Sequence, residues 1–155
     1  MSLRQRITDD LTAAMKRGAR DRVATLRMLK ARLQEAEVAL RASKGLAYQL
    51  TDPEAIQVLS SYAKQRRDSI ESFRRAGRTD LVAREEAELA IVREYLPRAL
   101  DAEELRRLAR EAIAEAGAAT PRDVGRVMKL LMPRVKGAAD GTEVNRVVTE
   151  LLGGG

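Results

Sequence analysis

The C-terminal segment at residues 125–152 reads GRVMKLLMPRVKGAADGTEVNRVVTELL, and the rest of the chain can be interpreted from its pattern. Apolar residues recur at three- and four-residue spacing on both sides of the loop KGAADG, which occupies residues 136–141. Gly137 suits the end of the first helical pattern, and Asp140 suits the N-cap of the second, because its side chain can accept a backbone N–H. The stretch therefore predicts two short helices joined by a tight loop.

The rest of the chain repeats this helical pattern, and no alternating strand pattern competes with it. The longest apolar series, Leu26, Leu29, Leu33, Ala36 and Leu40, is typical of a long helix that packs against a near-parallel neighbour. Helices are predicted at about residues 3–18, 21–45, 51–77, 80–96, 101–117 and 120–133, with capping boxes at Ser2/Gln5, Thr51/Glu54 and Asp101/Glu104, a stop or kink at Pro133, and a frayed tail at residues 153–155.

These patterns predict an all-α protein in two parts. Pro97 discourages continuation of the fourth helix and marks the best domain boundary. Residues 1–97 are expected to form an N-terminal four-helix domain, and residues 98–155 a C-terminal three-helix bundle. The bundle would be marginally stable alone, because a unit of that size buries little apolar surface.

The composition excludes several kinds of chemistry. None of the 155 residues is Cys or His, which rules out disulfides, a thiolate nucleophile, a zinc finger and any Ser/His/Asp or Cys/His catalytic unit. Acidic groups lie among arginines on predicted polar faces, which favours solvated ion pairs over a metal or acid–base site. No catalytic residue, metal site or cofactor is predicted. The acidic groups are Asp9/Asp10, Glu35/Glu37 and Glu85/Glu86/Glu88.

The N-terminal segment does not resemble a targeting signal. In MSLRQRITDDL, charges flank each apolar residue, whereas a signal peptide has an uninterrupted apolar segment. No apolar run approaches membrane-spanning length. A cytoplasmic protein without a membrane partner is therefore expected.

Positive charge is the strongest indication of a partner. The formal net charge is +6, and residues 1–100 hold 20 Lys/Arg and 14 Asp/Glu, whereas residues 101–155 hold nine of each. Nearby acidic residues are expected to neutralise three clusters pairwise: Arg17, Arg20, Arg22; Lys64, Arg66, Arg67; and Arg74, Arg75, Arg78. The fourth cluster has no acidic residue within residues 125–136 and consists of Arg126, Lys129, Arg134 and Lys136.

Five segments resemble the YqeY-like branch of the GatB/YqeY family: SLRQRITDDLTAAMK, RVATLRMLKARLQEAE, KQRRDSIESFRRAGRTDLVAREEAEL, REYLPRAL and VGRVMKLLMPRVKGAADGTEVNRVV. The family's other branch is the tail domain of the B subunit of the glutamine-dependent aspartyl/glutamyl-tRNA amidotransferase. The resemblance implies an all-helical protein whose C-terminal bundle is similar to one that helps to hold tRNA. It also links the chain to carbon–nitrogen ligase activity with glutamine as amido-N-donor. These residues contain no counterpart of the ATP-using domain, so autonomous catalysis is not expected.

Two hypotheses about function follow. In the first, a non-catalytic helical module binds tRNA, or an amidotransferase-like or other aminoacyl-tRNA-related protein. Its contacts are expected at Arg126, Lys129, Arg134, Lys136, Gly137, Asp140 and Asn145. In the second, the chain is a protein-interaction or structural module that pairs through the Leu26/Leu29/Leu33 seam with a partner or another copy. The role of Asn145, as a surface residue or a ligand of the loop, and the oligomeric state stay open.

Overall fold

The computed structural model describes residues 1–153, and within that range it contains seven α-helices, one three-residue 3₁₀ turn and no β-strand. The predicted all-α fold is confirmed. The part of the predicted tail at residues 154 and 155 lies outside the described residues. The helices are α1 (Leu3–Arg17), α2 (Arg20–Lys44), α3 (Asp52–Arg75), α4 (Thr79–Arg93), α5 (Ala102–Ala116), α6 (Val124–Val135) and α7 (Gly141–Leu151), and the 3₁₀ turn at Pro121–Asp123 precedes α6.

The chain divides between Leu96 and Pro97 into two compact units. In the first unit, α1 and α2 form an antiparallel hairpin across the link Gly18–Ala19. Gly18 has φ +69° and donates its N–H to the last carbonyls of α1, a conformation that suits glycine because it has no Cβ. The Arg4 side chain on α1 reaches Glu37 and Gln34 on α2, which fixes the two helices side by side.

Helices α3 and α4 form a second antiparallel pair in the same unit. The Arg66 guanidinium lies 3.1 Å from a Glu85 carboxylate oxygen and 3.6 Å from one of Glu88, and it also lies over the Tyr62 ring. Tyr62 donates a hydrogen bond to Glu88. The ion pairs and the hydrogen bond therefore join α3 to α4, while the cation–π contact lies within α3 and holds the Arg66 and Tyr62 side chains together.

The Leu26/Leu29/Leu33 seam lies inside the N-terminal core. Leu26 and Leu29 have no exposed surface, and Leu33 is 1% exposed. They pack in one cluster with residues of α1, α3 and α4. The proposed pairing with a partner through this seam is therefore wrong, because its apolar side chains are already covered by the chain itself.

The prediction that the acidic groups form solvated ion pairs is wrong for Glu37, which is fully buried. The buried line of α2 continues from Leu33 to Glu37, whereas Ala36 and Leu40 are only half-buried. Its carboxylate pairs with Arg4 at 2.5 Å and Arg41 at 2.9 Å and accepts the Leu50 N–H at 3.1 Å. Glu37 is thus a buried ion-pair centre rather than a solvated surface residue.

Several predicted helix ends are correct and others shift. Capping boxes form at Thr51/Glu54 and Asp101/Glu104. Ser2 caps α1 through the Gln5 N–H, but the Gln5 side chain donates to Asp9 instead of returning to the cap, so that box is only half formed. Helix α4 ends at Arg93, before the predicted Leu96, and α6 passes Pro133 to end at Val135.

The second unit contains α5, α6 and α7 around its own core. Leu105 and Ala109 of α5, Val127 and Leu131 of α6, and Val144 of α7 are at most 1% exposed. The Leu100 N–H donates to the Ala138 carbonyl at 2.9 Å, which ties the start of this unit to the loop between α6 and α7. The core therefore fixes which sides of α6 and α7 face water.

Candidate nucleic-acid interface

The two lysines of the predicted cluster share one exposed face. Val127, Leu131 and Val135 point α6 into the core, which leaves Lys129 and the cap residue Lys136 on the outside. They are seven residues apart, so they lie about 20° apart around the helix axis. Neither ammonium group has a carboxylate within ion-pair distance anywhere in residues 1–153. Lys129 and Lys136 are called the α6 face below.

Arg126 is less available than the sequence indicated. Its guanidinium donates to Asp123 Oδ1 at 2.8 Å and to the Ala116 carbonyl, at the end of α5, at 2.9 Å. Asp123 also accepts the N–H groups of Ala119 and Thr120. The Ala119 N–H first, then Arg126 and the Thr120 N–H, lower the pKa of the Asp123 carboxyl to about 2. Arg126 therefore stabilises the connection between α5 and α6, and its guanidinium is already occupied by these two hydrogen bonds.

Arg134 lies on another side of α6, about 140° from Lys129 around the helix axis. Its guanidinium donates to the Glu115 carboxylate of α5, which raises its pKa above the ordinary value. The acidic partners Asp123 and Glu115 both lie outside residues 125–136. The four predicted cations thus divide into two that face water without partners and two that are paired.

The other three predicted contact residues lie in the loop beside the α6 face and in the first turns of α7. Gly137 has φ +80°, where an L-residue would be strained, and it follows the cap residue of α6. Asp140 caps α7 by accepting the Thr142 N–H at 3.0 Å. Asn145 is exposed and accepts a hydrogen bond from Thr149 at 3.5 Å on its own helix, and within residues 1–153 it forms no hydrogen bond to the loop.

All three arginines of the Arg74/Arg75/Arg78 cluster are paired, two of them with nearby acids as expected and Arg74 with Glu86 on α4. Arg74 pairs with Glu86, Arg75 with Glu71 and Arg78 with Asp80. In the Lys64/Arg66/Arg67 cluster, Arg66 is paired and the other two are exposed without a carboxylate partner among the described residues. Part of the positive charge on α3 is therefore balanced locally.

The same expectation is wrong for most of the cluster around the α1–α2 link. Arg22 pairs with Glu94 at 2.7 Å, but that partner is far away in sequence, on the turn after α4. Arg17 and Arg20 are exposed and pair with no carboxylate in residues 1–153. A count over a short window would have revealed the imbalance, because Lys16, Arg27 and Lys30 extend this cluster.

An open groove lies along α3 and α4, with a volume of about 770 Å³. Ile70 and Leu89 form its apolar floor, and arginines and two glutamates line its sides. Arg74 and Arg75 on its rim are paired with Glu86 and Glu71.

Among the described residues, no cluster of acidic side chains is arranged to hold a metal ion. None of the seven helices in that part of the chain is long and apolar enough to cross a membrane.

Fold and charge together define a small all-α protein of two helical units with cationic helix faces. A family model described as "Yqey-like protein" matches residues 4–152. The chain belongs to this Yqey-like family, so the resemblance seen in the sequence is confirmed.

Two relatives give the range of similarity. An uncharacterized protein of Schizosaccharomyces pombe is 35% identical over 91 residues, which cover 59% of this chain and 69% of that protein. A protein of Pyrenophora tritici-repentis named "Altered inheritance of mitochondria protein 41, mitochondrial" is 30% identical over 154 residues, covering 96% of this chain and 80% of that protein. That name places the second relative in mitochondria, so the cytoplasmic location expected for this chain stays a prediction.

Proposed function

We propose that this chain is a non-catalytic helical module that holds tRNA by its phosphate backbone, either alone or beside an amidotransferase-like enzyme. The observation that carries the proposal is the α6 face, where Lys129 and Lys136 lie together without carboxylate partners in residues 1–153. A lysine without a partner can neutralise a phosphate without first breaking an ion pair. The proposal needs no reacting group on the chain.

The loop and α7 complete the proposed contact. Gly137 carries no side chain, so a phosphate can approach the backbone closely at this point. Asn145 is exposed one turn into α7 and offers an amide that can donate to a phosphate or a ribose hydroxyl. Asp140 holds the start of α7 through its cap and contributes by position rather than by charge.

The ion pairs of Arg126 and Arg134 reduce the electrostatic contribution expected from this site. Four free cations would give a slope of log affinity against log salt of about −3, whereas the two lysines of the α6 face give about −2. Arg126 and Arg134 would have to exchange Asp123 and Glu115 for phosphates, which gains less than adding a new pair.

Charge reversal of the α6 face tests the proposal. We expect K129E/K136E to weaken binding of a tRNA transcript by about tenfold or more and to flatten the salt slope by about 2. Fluorescence anisotropy with an end-labelled transcript, titrated at several salt concentrations, gives both quantities. K64E/R67E on α3 has the same change in net charge and is the matched control, because Lys64 and Arg67 are also exposed and have no carboxylate partner in residues 1–153.

The control is expected to weaken binding by less than about threefold, because exposed charges that do not contact the RNA act only through a field that salt screens. Equal effects of the two variants would show that only net charge matters and would contradict a site on α6. Absence of tRNA binding at low salt would reject the proposal altogether. Recovery of a protein partner instead, stable at high salt, would favour a protein-interaction module that uses a surface other than the buried Leu26/Leu29/Leu33 seam.

A further inference from the structure

Residues 16–30, at the end of α1 and the start of α2, contain most of the chain's excess positive charge. Six of these residues are basic and one, Asp21, is acidic, which is an excess of five against +6 for the whole chain. The segment is called the α1–α2 corner below. By comparison, residues 101–155, which include the α6 face, are electrically balanced.

Few of these charges are compensated by the fold. Within the described part of the chain, Arg22 has a carboxylate partner, whereas Lys16, Arg17, Arg20 and Lys30 are exposed and have none. The Arg27 guanidinium contacts the Met15 sulfur at 3.7 Å instead of a carboxylate. This arrangement differs from the end of α3, where all three arginines of the cluster are paired.

The helix dipole favours Lys16 and Arg17 in the last turn of α1, but the basic residues at the start of α2 are locally unfavourable. Arg20 is the first residue of α2, where the helix dipole disfavours a positive charge, and its N-cap residue Ala19 has no side chain to accept the free N–H groups. Arg27 and Lys30 are like charges at neighbouring positions on the helix surface. Departures from local preference that the fold does not need are expected where a surface has a function.

We propose that the α1–α2 corner binds the phosphate backbone of double-helical RNA and is a second contact surface for tRNA. The choice of RNA rests on the proposed function. The corner has no aromatic residue on which an unpaired base could stack. Its cations come from the end of one helix and the exposed side of the next, which suits recognition of phosphates and duplex shape rather than of bases.

A lipid surface fits the corner less well. Membrane-surface helices need a continuous apolar face to insert between lipids. The apolar faces of α1 and α2, including Ile7, Leu11 and Leu26, are buried in the N-terminal core. Only two large apolar side chains in and beside the corner are exposed, Met15 at 46% and Met28 at 44%.

The test compares two triple reversals on the full-length chain. We expect R17E/R20E/R27E to weaken binding of the tRNA transcript by about tenfold or more and to flatten its salt slope by about 3. We expect the same loss with an RNA duplex of about 16 bp, the length that duplex-reading domains span. The matched control is K64E/R67E/R84E, which reverses three exposed cations outside ion pairs in the same unit.

Circular dichroism verifies that each variant is folded. If R17E/R20E/R27E is not folded, R17Q/R20Q/R27Q replaces it and is expected to give an intermediate loss of binding. If R17E/R20E/R27E leaves the salt slope of tRNA binding unchanged while K129E/K136E flattens it, the α1–α2 corner does not bind RNA. The proposed function then still holds. The opposite pattern supports the corner and overturns the α6 face. Loss of binding to phosphatidylserine vesicles but not to RNA shows a lipid surface and overturns the inference.

Discussion

At the scale of single residues, the same residue type takes opposite roles two positions apart. Glu35 is exposed and contacts Arg32 at 3.7 Å, whereas Glu37 is fully buried between Arg4 and Arg41. Adjacent positions on a helix differ by about 100°, so Glu37 falls in line with Leu33 while Glu35 points to solvent. The apolar pattern could not reveal this, because a carboxylate interrupts it and Arg4 comes from a different helix.

Replacing Glu37 with Gln should destabilise the chain by about 2 kcal/mol, because three donors lose an ionised acceptor in a buried place. The matched change E35Q should alter stability by less than about 0.5 kcal/mol, since its ion pair is exposed. Urea unfolding followed by circular dichroism measures both. Equal effects of the two substitutions would contradict the role given to Glu37.

At the scale of secondary-structure elements, starts with capping boxes and ends at glycines were predictable, whereas α6 begins at Val124, after a 3₁₀ turn and not at Thr120, and ends beyond Pro133. Thr51/Glu54 and Asp101/Glu104 are local signals, because the cap and its partner lie three residues apart. Pro133 does not stop α6, because a proline near the end of a helix removes only one hydrogen bond, and α6 retains its last turn while Val135 is buried in the bundle core. Core contacts decided that end, and the local sequence did not contain them.

The start of α3 should make stability depend on pH in acid. Tyr48 donates to the Glu54 carboxylate, and this bond first, then the Thr51 N–H and Lys44, lower the pKa of Glu54 from 4.5 to about 2. A carboxyl whose pKa is lower in the folded state stabilises that state fully above about pH 4.5 and loses this contribution as the pH falls towards 2. Burial raises the pKa of Glu37, but the Leu50 N–H, Arg4 and Arg41 outweigh this effect and lower it. Protonation of Glu37 in acid therefore also destabilises the folded chain.

The variant E54Q should therefore lose less stability than the natural chain between about pH 5 and pH 2.5. Thermal unfolding midpoints across that range measure the difference. The control is E103Q, because Glu103 is exposed in the first turn of α5 and, unlike its neighbour Glu104, forms no ion pair among the described residues. If E54Q and the natural chain lose the same stability in acid, the Tyr48–Glu54 contact does not contribute as described.

At the scale of the whole molecule, charge is distributed differently from what local sequence indicated. The cluster at residues 126–136 was the strongest candidate because no acid lies inside it, yet Asp123 and Glu115 pair with two of its members. The cluster Arg17, Arg20 and Arg22 was expected to be neutralised, yet only Arg22 has a carboxylate partner in residues 1–153. Helix type and core faces follow from short-range periodicity, whereas ion-pair partners come from other helices and need the folded chain.

The most direct test of the central claim, that this chain holds tRNA through phosphate contacts, is the salt dependence of binding to a tRNA transcript. With two cations on the α6 face and five at the α1–α2 corner, the slope of log affinity against log salt should be about −5 to −6 between about 50 and 200 mM. A slope near zero, or no binding at the lowest salt concentration, would contradict the claim.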